Sequence, residues 1–167
     1  MYYNAFFFFI VGLDLVYAAP PPSPVFPGSV PVFYPGLNGS TCFRIPTMIR
    51  TSSPSNILLA FSENRDNSCH DTHPPHQIVL RRSFDDGKTW GPLILVAEDK
   101  NPPCKNCPKV PSNPNGVEVT TSDGRRAILL HYDTMNNPAH KPGQDYGKDM
   151  QQISYDDGLT WSKPTEL

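Results

Sequence analysis

Ser83-Phe84-Asp85-Asp86-Gly87-Lys88-Thr89-Trp90 and Ser154-Tyr155-Asp156-Asp157-Gly158-Leu159-Thr160-Trp161 share the pattern S-x-D-x-G-x-T-W, 71 residues apart. The pattern describes a turn. Asp85 and Asp156 can accept hydrogen bonds from backbone N–H groups two or more residues on. Gly87 and Gly158 tolerate φ > 0 without a Cβ clash. The hydroxyls of Ser83 and Thr89 add local bonds, and Trp90 and Trp161 can pack beside a sheet. The aspartates admit a second reading, catalysis or calcium binding. The same chemistry occurring twice at equivalent places is what a hairpin staple requires.

Short β-branched and aromatic runs flank each turn. Ahead of the first lie Phe43–Thr51, Ile57–Phe61 and Gln77–Phe84, and Trp90–Val96 returns after it. Within Gln77–Phe84, Ile78, Leu80 and Arg82 alternate with Val79, Arg81 and Ser83, which is the period of a strand. The order then recurs as Asn115–Thr121, a Ser122-Asp123-Gly124 turn, Ala127–Tyr132, Met150–Tyr155, the second staple, and a fourth strand starting at Thr160-Trp161. Each unit reads as a four-stranded antiparallel meander. Such a unit repeated at a long, loop-variable spacing predicts radially stacked sheets: an all-β chain, a β-propeller with about two blades present. Two blades cannot close a ring and leave faces and edges uncovered. The chain is therefore expected to be the N-terminal piece of a longer protein, with a partial gene model or a truncated isoform as alternatives.

Composition agrees with a β architecture. Of 167 residues, 20 are proline, which breaks helix interiors and is tolerated at turns and strand ends. Mean hydropathy is −0.41, and the formal charge of −2 offers no basic field for nucleic acid. No uncharged apolar run reaches the roughly 18 residues of a membrane span. Residues 1–18 read as a secretory signal, with Phe6–Leu13 as a short apolar core and Val16-Tyr17-Ala18 at the cleavage positions. No Lys or Arg precedes that core and Asp14 closes it early, so an uncleaved anchor or a mispredicted first exon stays open. Residues 19–40 form a Pro-rich linker whose last apolar residues could instead make an edge strand, and 41–167 form the propeller piece. Cys42, Cys69, Cys104 and Cys107 suit a secretory route and allow three full pairings. Cys104-x-x-Cys107 lacks the second CxxC of a zinc site and is crowded by Pro102, Pro103 and Pro108. Asn38-Gly39-Ser40 is an N-glycosylation triplet, meaningful only on that route.

Phe43-Arg44-Ile45-Pro46 stands ahead of both turns. Left to itself, an arginine beside Phe and Ile reads as a surface strand residue. The proline would stiffen the strand end that presents it. This motif, followed by two S-x-D-x-G-x-T-W boxes, resembles the sialidases (exo-α-neuraminidases), most closely the animal lysosomal type, over residues 41–167. The box alone recurs in unrelated propellers, whereas the arginine motif with boxes downstream is specific. The resemblance implies a propeller of six blades when complete. It implies retaining hydrolysis of terminal sialic acids from glycoproteins, oligosaccharides and gangliosides, with no cofactor and no metal. It also implies a lysosomal, extracellular or membrane-associated place on the secretory route, with sialylated glycoconjugates as partners.

By the same resemblance Arg44 is one of three arginines that clamp the substrate carboxylate. Ala60-Phe61-Ser62-Glu63-Asn64-Arg65 resembles F-A-E-x-R, with Ser62 for the usual alanine, and makes Arg65 a further sugar contact. Asp71, six residues on in Cys69-His70-Asp71-Thr72-His73, takes the place of the general acid/base, which protonates the departing oxygen and then activates water. Asp66 lies too close to Arg65 to fit. Ser112-Asn113-Pro114 resembles S-x-N-P, one residue shorter, and makes Asn113 a substrate contact, against a plain turn residue before proline. His70, His73 and His76 with Cys69 have the chemistry of metal ligands. Pro74-Pro75 limits their convergence, so they read as a solvated loop in which His70 or His73 tunes Asp71. Arg81-Arg82 matches a pair that the family carries ahead of its first box. The family's tyrosine nucleophile, its glutamate partner and two clamp arginines belong to later blades. Tyr132, Tyr146, Tyr155, Glu63 and Glu118 do not stand for them, so this chain alone is expected to be inactive. A catalytically dead, sialic-acid-binding propeller is the alternative. A non-sialidase propeller such as a receptor ectodomain explains the turns but not Phe43-Arg44-Ile45-Pro46.

Overall fold

Leu58–Arg65 forms a strand, β2, that is buried over nearly its whole length. Its first half is apolar and its second half is Ser62-Glu63-Asn64-Arg65, so one strand runs from a hydrophobic core into a polar end. The computed structural model describes residues 20–23, 26–66, 68–71, 75–98, 110–135 and 147–167. The expected signal over 1–18, and His73, Cys104, Cys107 and Tyr146, lie outside them.

β2 sits between β1 (Cys42–Arg50) and β3 (His76–Ser83), and β4 (Ile94–Glu98) completes the first sheet. β5 (Val110–Thr120), β6 (Arg126–Met135), β7 (Asp149–Ser154) and β8 (Thr165–Glu166) repeat that order in a second sheet. Every pairing is antiparallel. Neither sheet closes on itself among the described residues. The two sheets pack face to face, with β5 lying against the first, as two successive blades of a β-propeller. Ile57, Leu59, Phe61, Ile78 and Leu80 from one sheet meet Ile128, Leu130 and Tyr132 from the other. Full burial of such a side chain contributes about 1.5–3 kcal/mol. Phe61 meets Trp161 edge-on across the seam, centroids 5.9 Å apart. Gly116 admits the Phe61 ring, since a Cβ there would stand 2.8 Å from Phe61 Cε2.

The two staples have the same bonds. Asp85 Oδ1 accepts the Thr89 N–H at 2.9 Å and Asp85 Oδ2 its hydroxyl at 2.6 Å, while the Ser83 Oγ accepts the Gly87 N–H at 2.8 Å. Asp156, Thr160, Ser154 and Gly158 repeat this at 2.8, 2.5 and 2.8 Å. Each indole N–H then donates to the turn glycine's carbonyl at 3.1 Å. The aspartates are thereby scaffold. The sequence predicts that the tryptophans begin the returning strands, but they belong to the staples instead. The returning strands start at Ile94 and Thr165, beyond Pro92 and Pro164, which have no N–H to enter a ladder.

A second repeated device was not foreseen. Ile45 (φ 50°) and Asn113 (φ 55°) both adopt left-handed backbone, each is followed by proline, and each sits where its strand bulges, between Arg44 and Thr47 in β1 and between Ser112 and Asn115 in β5. Phe43-Arg44-Ile45-Pro46 therefore lies inside a strand rather than at its end. A left-handed β-branched residue is a costly conformation held by its surroundings. The bulge re-aims the side chains around it.

The staples share one end of the sheets with a polar clamp between blades. There Glu118 accepts the Ser52 N–H at 2.8 Å, and Arg126 reaches Asp157 at 2.6 Å and the Ser55 hydroxyl at 2.9 Å. Ahead of β1, residues 32–40 lie against the first sheet. Phe33 stacks on Phe43 at 5.3 Å, and Arg81 donates to the carbonyls of Val32, Trp90 and Gly91 at 2.6–2.7 Å. Arg81 is thus a staple as well, and Arg82 lies over the Phe84 ring at 4.9 Å.

Candidate functional site

The opposite end of the sheets carries the polar half of β2, and the predicted site residues meet there. Cys42, the first residue of β1, pairs with Arg65, the last of β2, and Arg44 pairs with Glu63. A disulfide joins Cys42 to Cys69, which ties the chain between β2 and β3 back onto β1. This gives Cys42 its partner among those the sequence left open. It also removes Cys69 as a thiolate ligand. Among the described residues no group of three or more His, Cys, Asp or Glu side chains could hold a metal ion.

Arg44 and Arg65 converge on one short stretch of that connection. Arg44 donates to the Cys69 carbonyl at 3.1 Å and to Asp71 Oδ1 at 2.8 Å. Arg65 donates to the same carbonyl at 2.9 Å and to the same carboxylate oxygen at 2.6 Å. Two guanidinium groups thus share one carboxylate. The hydrogen bond from Arg65, aided by the charges of Arg65 and Arg44, holds the Asp71 carboxyl below the usual carboxylate range. Accessibility divides the cluster. The side chains of Arg44 and Asp71 are 39% and 56% exposed, whereas Arg65 and Glu63 are 1% and 0%.

Glu63 was passed over in the sequence and proves central. It is two residues before Arg65 on the same face of β2, and its Oε2 accepts from Arg65 Nε at 2.8 Å and also from the NH2 group. Its Oε1 accepts the Asn113 N–H from the neighbouring blade at 2.8 Å. Asn113 in turn donates through Nδ2 to Asp133 Oδ2 at 2.8 Å. Asn113 is therefore built into the same network as Arg65. Asp133 was missed too. It opposes Ser112 beside the β5 bulge as Glu63 opposes Arg44 beside the β1 bulge. Aligning the two units strand by strand exposes both residues.

The histidines depart from expectation. His76 is not in a solvated loop: it opens β3 opposite Arg65 and is fully buried. Burial, with the charge of Arg65, pushes its imidazole below the ordinary histidine range. Among the described residues neither ring nitrogen has a partner at full hydrogen-bond geometry, and the charge on His76 bears on Asp71. Asp66 stays out of the cluster, offering its carbonyl to the Thr41 hydroxyl. Tyr132 is buried, donates to Gln152 at 3.1 Å, and has its hydroxyl pushed up to about 12 by burial, which suits core packing and not nucleophilic attack.

No protein-family model matches the chain. It is similar to a sialidase of Bacteroides fragilis (strain YCH46), 29% identical over 157 residues, which covers 83% of this chain and 26% of the relative. The chain thus spans about a quarter of the length of the curated relative it matches. In sequence, then, it is sialidase-like.

Proposed function

We propose that the chain supplies the acid/base half and part of the substrate-binding half of an exo-α-sialidase. One observation carries this: two arginines from different strands converge on a single carboxylate, so the site is built to hold an anion. Arg44, the accessible one, takes the carboxylate of a terminal sialic acid. Arg65 and Asn113 contact the sugar, and Asp71 is the general acid/base of a retaining hydrolysis. Asp71 occupies the arginine fork itself. A substrate carboxylate entering at Arg44 competes for those donors and frees Asp71. When the sugar also engages Arg65, Asp71 loses the bond that holds its carboxyl low and can take up the proton that a general acid must deliver.

The relative is bacterial, so the proposal is made for the sialidase class and not for its animal lysosomal type. The nucleophile, its partner and the rest of the clamp would come from other blades, and the substrates would be sialylated glycoproteins, oligosaccharides and gangliosides. The disulfide supports a secretory-route location, extracellular or lysosomal. A catalytically silent sialic-acid binder is favoured by one feature, the ionised state in which Asp71 is held here.

Two measurements test this. Titration of the chain with N-acetylneuraminic acid, followed by NMR, should shift Arg44 and Asn113, and the methyl ester should not; equal responses to both would sink the carboxylate reading. Residues 19–167 should show no turnover of a fluorogenic sialoside. A rate abolished by Asp71→Ala would mean that the chain is catalytically complete.

A further inference from the structure

Asn38-Gly39-Ser40 is the only N-x-S/T triplet in the chain, and the sialidase reading leaves it unused. Asn38 lies at the tip of a tight turn just ahead of β1. Leu37–Gly39 make one turn of 3-10 helix, with Asn38 at φ 52° and Gly39 at φ 80°. The turn closes on itself through Gly39 N–H to the Gly36 carbonyl at 3.2 Å and Gly36 N–H to the Ser40 carbonyl at 2.7 Å. Asn38 is exposed, and nothing stands within 4 Å of where a Cβ on Gly39 would be, so the tip faces open space. The third residue of the triplet is placed oppositely. Ser40 is 2% exposed, and its hydroxyl donates to the Cys42 carbonyl at 3.3 Å and to Asn64 Oδ1 on β2. Two residues further on, Cys42 is locked by its disulfide, a bond that persists in the oxidising compartments where N-glycans are added.

We infer that Asn38 carries an N-linked glycan, attached before this turn docks onto β2. The co-reactant is a polyisoprenyl-pyrophosphate oligosaccharide. Asn38 Nδ2 forms a bond to C1 of its first sugar and the C1–O bond breaks. The electron pair leaves with the pyrophosphate, and one amide proton passes to the transferase. Transfer needs the triplet extended with its hydroxyl free. In the folded chain that hydroxyl is buried and bonded, and the backbone is curled into a 3-10 turn. Folding therefore closes the site even though the asparagine itself stays on the surface. The glycan would flank the arginine cluster, because β1 begins beside Arg65. None of this depends on the sialidase reading.

Two experiments decide it. The 167-residue chain, placed behind a standard cleavable secretory leader in a eukaryotic cell, is recovered from cells and medium and treated with peptide-N-glycosidase. One mobility step should be removed, leaving Asp at position 38 by mass spectrometry. Asn38→Gln should abolish the step and Ser40→Thr, which keeps the hydroxyl, should retain it. Protein recovered with the Cys42–Cys69 bond formed but without the step overturns the site. In the second experiment, purified oligosaccharyltransferase and its lipid-linked donor are offered the native oxidised chain and the reduced, unfolded chain. Only the unfolded chain should be modified. Equal modification of both overturns the order of events, and modification of neither overturns the site.

Discussion

Replacing Glu63 by glutamine removes one charge from the centre of the site and almost no volume. Glu63 and Arg65 are 0% and 1% exposed, so their pairing is a buried ion pair and not a surface contact. Removing one partner of such a pair costs about 3–5 kcal/mol, because the other charge is left uncompensated. Two features draw the value toward the lower end. Arg65 keeps Asp71 as a counter-charge at 2.6 Å. An amide oxygen at position 63 can still accept the Asn113 N–H, now at 2.8 Å, with the amide NH2 then facing the Arg65 donors. The expected loss is about 3 kcal/mol. With a urea m-value of about 2 kcal/mol/M, the unfolding midpoint should fall by about 1.5 M. Glu63→Ala also breaks the bond between blades and should approach about 5 kcal/mol. Asp71→Ala is the control: with its side chain 56% exposed, it should cost no more than about 1 kcal/mol. Equilibrium urea unfolding followed by tryptophan fluorescence reads all three, since Trp161 lies in the seam between the sheets. A Glu63→Gln loss within about 0.5 kcal/mol of wild type, or equal to that of Asp71→Ala, would refute the assignment of Glu63 as the buried anchor of Arg65.

Cys42→Ser with Cys69→Ser opens a crosslink of sequence separation 27, which should cost about 3.5 kcal/mol by loop entropy and raise the Asp71 pKa toward its ordinary value, read by NMR titration; an unmoved Asp71 would mean that the disulfide does not position it. The hydrogen bonds from Thr89 hold Asp85 at about 2, below its unfolded value of about 3.9, so its contribution is fully present above that value and lost as pH falls toward 2; Thr89 amide exchange should accelerate over that window, and Asp85→Asn should remove the dependence. Gly158→Ala and Gly87→Ala both place a Cβ at φ +81°, but at position 158 it would stand 2.5 Å from Leu80 Cδ2 and at 87 only 3.5 Å from Leu58 Cδ1. The first should cost about 3–5 kcal/mol and the second about 1–2 in thermal unfolding, and similar values would show that the seam is not tight at Gly158.

The staples were legible because their chemistry is local. Every bond from Asp85 and Asp156 ends within four residues, and the pattern of residue types states the geometry. Strand existence was legible too, from alternation in Gln77–Phe84 and its counterparts. Strand limits were less so. β2 runs on through Ser62-Glu63-Asn64-Arg65, which are buried against partners distant in sequence, and no local pattern conveys that. Arg44, Arg65, Asp71 and Asn113 were found through a resemblance, and the structure brings all four into one network. Glu63 and Asp133 were missed because what matters about each is a partner in another strand: Glu63 reaches Asn113 across 50 residues of chain.

The amino-acid sequence alone determined the repeat, the turn chemistry and the all-β architecture, since these follow from side-chain period and from donors and acceptors a few residues apart. Only the tertiary structure decided which cysteine meets Cys42, which carboxylates face the arginines, and which member of each ion pair is sealed from water. Those outcomes depend on contacts between residues distant in sequence. They depend equally on burial, which makes a charge at Glu63 indispensable and leaves one at Asp71 free to be exchanged.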